Sequence, residues 1–133
     1  MKTAGTPLAQ DERILYESPD PTTVFSYSPG LTRLDASKRL VATYGPRLVA
    51  SIDLGGPGTK DLPGAKWHRQ SRARAWQGKV FTSDDDGATW THRSDFPFMH
   101  ARPFVAGDSV YVLGQAGDLM IMRSDDGGAS WSP

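Results

Sequence analysis

Four residues of this sequence have the types and surroundings from which chemistry can be built. Asp53 follows the apolar run VASI and precedes GGPG. A carboxylate leaving a buried strand for a glycine loop acquires a raised pKa, which suits a general acid or base; read blandly, the same residue is a turn-former beside Gly55. His100 and Arg102 stand in MHARPF (99–104). There an imidazole can move a proton and a guanidinium can pair with a carboxylate, or both are ordinary polar loop residues. Trp67 opens the triplet Trp67-His68-Arg69, and its indole either stacks on a sugar ring or pins its own loop in place.

Other chemistries find no support. His68, His92 and His100 are scattered and match no metal-binding spacing. No Ser-His-Asp triad and no glycine-rich phosphate loop can be read, so no cofactor and no metal are expected.

A second signal is a nonamer written twice. TSDDDGATW (82–90) returns as RSDDGGASW (123–131). Ser83, Asp85, Gly87, Thr89 and Trp90 answer to Ser124, Asp126, Gly128, Ser130 and Trp131, at an offset of 124 − 83 = 41 residues. That period belongs to stacked or radial repeats. Within each copy the glycine can take positive φ, the Ser and Asp can close a turn through local hydrogen bonds, and the Trp can return onto the sheet as a large buried surface. The nonamer therefore reads as a structural staple. DDDG also invites a calcium-loop reading, but counting from Asp84 puts Thr89 at the sixth place and Asp95 at the twelfth, where an EF-hand needs Gly and Glu.

These residues need elements to hold them, and the elements read as strands. RPFVAG, DSVYVLGQ and GDLMIMRS are three strands separated by tight turns, SDDGGAS is the next turn, and ASWSP begins a fourth strand. This is an antiparallel four-stranded meander, the unit of a propeller blade. The first half repeats the plan: GLTRLD, RLVATY, QGKVFTS and TWTHRS supply the strands, with SDDDGAT as the turn before the last. RLVA occurs at both 39–42 and 47–50, and the sequence does not choose between the copies. The expected organisation is an N-terminal extension (1–23), a first blade (24–95) with an insertion at about 51–75, and a second blade (96–133) whose last strand is incomplete.

Composition sets the outer bounds. Fifteen Lys+Arg balance 15 Asp+Glu, which disfavours a nucleic-acid or anionic-membrane partner; the basic run RQSRAR (69–74) has no extension elsewhere. No cysteine is present, so disulfides and cysteine-based zinc sites are excluded. No apolar stretch reaches membrane-spanning length, and MKTAGTPLAQDERILYE lacks the apolar centre of a signal peptide.

Both nonamers match the Asp box, S-x-D-x-G-x-[ST]-W, and so resemble the sialidase-like β-propellers, also called BNR repeats. LVASIDLGGPG (48–58) and FMHARPFVAGDSVYVLGQAGDLMIMRSDDGGASW (98–131) look like segments of bacterial sialidase-family proteins. The resemblance covers most of residues 24–132. It implies an all-β propeller, usually of six blades, with a site at the centre of one end. It implies an exo-acting glycoside hydrolase for sialic acid or another acidic sugar, from a secreted or periplasmic parent. It also places Asp53 near the substrate face.

The family's first substrate-binding arginine lies in an R-I-P motif. If Pro29 of SYSPGL (26–31) is that proline, Tyr27 stands in the arginine's place. Aligning Pro103 with Pro29 sets His100, Ala101 and Arg102 against Ser26, Tyr27 and Ser28. Two blades do not close a ring, so the expectation is a fragment, inactive alone, whose partners are a glycan and either the missing blades or further copies of itself. The alternative is a non-catalytic carbohydrate- or protein-binding module.

Overall fold

The computed structural model describes residues 13–34, 46–62, 66–67, 75–96 and 98–133, except for the side chains of 66, 67, 75, 76 and 116. The described chain is all-β, with two antiparallel sheets and a single short 3-10 turn at Pro57–Asp61. The strands are β1 (Phe25–Leu34), β2 (Arg47–Gly55), β3 (Lys66–Trp67), β4 (Ala75–Ser83), β5 (Thr91–Phe96), β6 (Met99–Ala106), β7 (Ser109–Ala116) and β8 (Asp118–Ser124).

In the first sheet the strands run β1-β2-β4-β5, and the two-residue β3 pairs with the start of β4. In the second the order is β6-β7-β8, and the pairing of Arg123 with Ser132 adds the first contact of a further strand. The second sheet is thus a meander in which chain neighbours pair, and the first keeps the same antiparallel order except that β2 pairs with β4, past the short β3.

The second RLVA copy, 47–50, lies in β2; the first lies outside the described residues. The expected insertion begins later than residue 51. Ser51–Gly55 continue β2, paired with β1 on one side and largely with β4 on the other. Every residue of β2 is buried, including Ser51 and Asp53. A strand covered on both faces loses the polar–apolar alternation that marks a strand in a sequence, so SIDLG looks like loop.

The two sheets pack face to face. Leu34, Val49, Val80 and Phe96 of the first meet Phe98, Ala101, Val110 and Val112 in and beside the second, with Trp131 at the margin. Phe96 and Phe98 stack with ring centroids 5.1 Å apart. The opposite face of the first sheet carries Ile52, Leu54 and Phe81, covered by Leu15, Tyr16, Leu62 and Trp90. Residues 13–23 thus help to cover an apolar face rather than trail from it.

Both repeated nonamers fold into the same turn. Ser83 Oγ donates to Asp85 Oδ1 (2.8 Å) and accepts from Gly87 N–H (2.8 Å), while Asp85 accepts from Thr89 N (2.8 Å) and Thr89 Oγ1 (2.5 Å). Ser124, Asp126, Gly128 and Ser130 repeat these four bonds at 2.8, 2.8, 2.8 and 2.5 Å. Gly87 and Gly128 sit at φ 90° and 91°, where a Cβ would be strained. Trp131 Nε1 donates to Gly128 O at 2.9 Å. Arg47, buried between the turns, joins them: its Nε donates to Asp84 Oδ1 (2.6 Å) and its NH1 to Gly127 O (3.1 Å).

Candidate functional site

The first strand of each sheet begins with a bulge. In β1 the register against β2 shifts between Tyr27 and Gly30; in β6 the register against β7 shifts between Met99 and Arg102. The two bulges are 99 − 27 = 102 − 30 = 72 residues apart, and each holds one non-glycine residue at positive φ, Ser28 (51°) and His100 (56°). Ser28 therefore corresponds to His100 and Gly30 to Arg102. The proline-based alignment is two residues out of step with the backbone, because Pro103 follows its bulge whereas Pro29 lies within one. Tyr27 stands against Met99, not against Ala101.

β1 and β6 lie side by side, so the two bulges meet. Gly30 permits the approach: a Cβ there would come within 2.6 Å of Pro103 Cδ and 2.7 Å of Ser51 Oγ. Across this contact Ser28 Oγ and His100 Nδ1 are 3.2 Å apart. Arg102 NH1 donates to Ser28 O (2.7 Å) and Ala101 O (3.0 Å). Tyr27 presents its ring edge-on to the His100 imidazole, with centroids 6.5 Å apart. His100 and Arg102 are both exposed and belong to β6 itself rather than to a loop before it. They also line a shallow cavity of about 230 Å³, whose remaining walls are Leu113, Gly114, Gln115 and Leu119. One wall offers ring and guanidinium nitrogens and the rest is mainly apolar. Such a surface can seat a ligand with one anionic and one apolar side.

Asp53 lies beneath this surface, wholly buried. Its Oδ2 accepts His100 N–H at 2.5 Å and its Oδ1 accepts Ala101 N–H at 3.4 Å. Burial pushes its pKa up, opposed by the two backbone N–H groups and by the nearby His100 and Arg102. A general acid or base must reach the proton it moves. Asp53 instead faces the interior with its carboxylate engaged by the backbone of β6, which departs from the acid/base role expected of it.

Tyr27, Asp53, His100 and Arg102 are therefore brought together, while the backbone of Trp67 pairs with Ala75 and its side chain, like His68, Arg69 and the basic run 69–74, lies outside the described residues. The residues of the repeated nonamers form the two turns described above and take no part in this cluster. Among the described residues no group of three His, Asp or Glu side chains could hold a metal ion.

Sequence reasoning missed Ser28 and Ser51. Ser28 precedes Pro-Gly, a turn signal inside a strand that could have marked the bulge. Ser51 donates to Ala101 O at 2.8 Å, a contact between residues 50 positions apart with no local signal. The chain matches no protein-family model, no curated protein and no solved structure.

Proposed function

We propose that the chain is part of a sialidase-like β-propeller, each sheet supplying one blade, and that the surface formed by Tyr27, Ser28, His100 and Arg102 binds an acidic sugar. The observation that carries the reading is the meeting of the two bulges, which sets an exposed imidazole and an exposed guanidinium beside an apolar cavity. The paired Asp-box turns, with four hydrogen bonds repeated in kind, support the propeller assignment. Arg102 pairs with the carboxylate, His100 donates to a hydroxyl or to the same carboxylate, and Leu113 and Leu119 underlie the apolar side of the ring.

Binding is favoured over turnover by this chain. Hydrolysis of a glycosidic bond requires two suitably placed catalytic groups, and the expected acid/base Asp53 is buried and engaged. The exposed His100 favours the second reading, a hydrolase completed by further blades or by copies of the same chain.

Titration of the purified chain with N-acetylneuraminic acid, followed by NMR, tests the proposal. Shifts confined to residues around His100, Arg102 and Leu113, lost in Arg102→Ala and not produced by galactose, are expected. Equal responses to both sugars, or none, would overturn it. A fluorogenic sialoside should not be turned over by the chain alone.

A further inference from the structure

The bulge at the start of β6 has a consequence for its own backbone. Where one strand carries extra residues, their N–H and C=O groups leave the ladder and need other partners. In β6 those residues are His100 and Ala101, between the paired Met99 and Arg102. Across the sheet interface, β2 supplies replacement partners for them. Asp53 accepts both N–H groups, and Ser51 donates its hydroxyl to Ala101 O. The geometry points to Asp53 as a positioning residue: a two-acceptor clamp that builds the β6 bulge, holds His100 at positive φ, and so sets the direction of the imidazole and of Arg102.

The chemistry is specific to a carboxylate. Two converging N–H donors require an acceptor on each oxygen. An ionised Asp supplies both, whereas an Asn of the same size turns an NH₂ toward one of the donors, and a protonated carboxyl commits one oxygen to an O–H. Uptake of a proton by Asp53 therefore releases one side of the clamp. Among the described residues, the charged or titratable groups around the carboxylate are Tyr27, its partner across β1, and His100 and Arg102 on β6; its partner on β4 is Gly78. His100 and Arg102 favour the ionised form, and burial opposes it. The inference rests on the binding surface proposed above only for its purpose; the clamp itself is a statement about the free chain.

Amide NMR of the intact chain tests it without any ligand. The His100 and Ala101 amides should move together through one acidic transition, and the His100 side-chain signals should follow them. In Asp53→Asn that transition should vanish, with the His100 coupling no longer that of a fixed positive φ. Amides that do not titrate together in the wild-type chain would overturn the clamp even if the variant fails to fold. A folded Asp53→Asn with unchanged His100 and Arg102 signals would overturn it as well. Ser51→Ala, which leaves the carboxylate in place, should preserve the transition. If the clamp holds and the surface binds acidic sugar, Asp53→Asn weakens that binding about tenfold or more; if wild type binds none, the reading of the surface fails while the amide titration still decides the clamp.

Discussion

Asp85 and Asp126 are short side chains doing the same local work at two places. Each accepts from a backbone N–H and from two hydroxyls. For Asp85 the bonds from Thr89 and Ser83 hold the pKa down at about 2. For Asp126 burial pushes upward, but bonds from Ser130, Ser124 and the Ala129 backbone outweigh it, and the net direction is down. A carboxyl whose pKa is lower in the folded chain than in the unfolded one stabilises the fold above the unfolded value and loses that contribution as pH falls through the folded one. The Asp85 turn should therefore weaken between about pH 4 and pH 2, and the Asp126 turn should weaken in the same direction as pH falls. Asp53 opposes the trend, because its raised pKa makes the fold favour its protonated form as pH falls. Thermal unfolding across this range should show a falling acid limb. Asp126→Ala should lower stability at neutral pH by about 1–2 kcal/mol, the scale of a lost helix cap, and flatten that limb. An unchanged limb would show that the turns do not titrate with folding.

At the scale of elements, β1 and β6 are joined by backbone proximity as much as by side chains. Gly30→Ala should force Pro103 or Ser51 aside and cost about 1–3 kcal/mol as overpacking; chemical denaturation measures it, and a neutral result would mean that the strands can separate freely. The contrast between legible and illegible elements follows from range. The turns at 82–90 and 123–131 were readable because Ser, Asp, Gly and Trp act on neighbours within nine residues. The strands β6, β7 and β8 were readable because turns bound them closely. The site was half readable: His100 and Arg102 carry visible chemistry, but Asp53 meets the His100 backbone from 47 residues away. Nothing near VASID announces that two amides will arrive there. The apparent loop at SIDLG had the same cause, since burial on both faces erases alternation.

For the whole molecule, the sheets are unequally covered. The first has apolar packing on both faces. The second leaves Phe104, Leu113, Leu119 and Ile121 exposed, with Tyr111 stacked on Phe104 at 5.4 Å. Contiguous apolar surface of this kind promotes association. Sedimentation at low micromolar concentration should find the chain self-associated, and Ile121→Lys should shift it toward monomer; a wild-type monomer would count against association through this sheet face.

The position of Arg47 bears on how such a molecule comes apart. Tandem repeats can open one at a time when each is held mainly by its own contacts. Here a single buried guanidinium spans the acidic turn of one repeat and a backbone carbonyl of the other. Fraying of either turn strips one of these hydrogen bonds from the buried guanidinium, and that loss falls on both repeats at once. The two halves are thereby made to share one unfolding transition, and amide exchange at both turns should report a common opening energy.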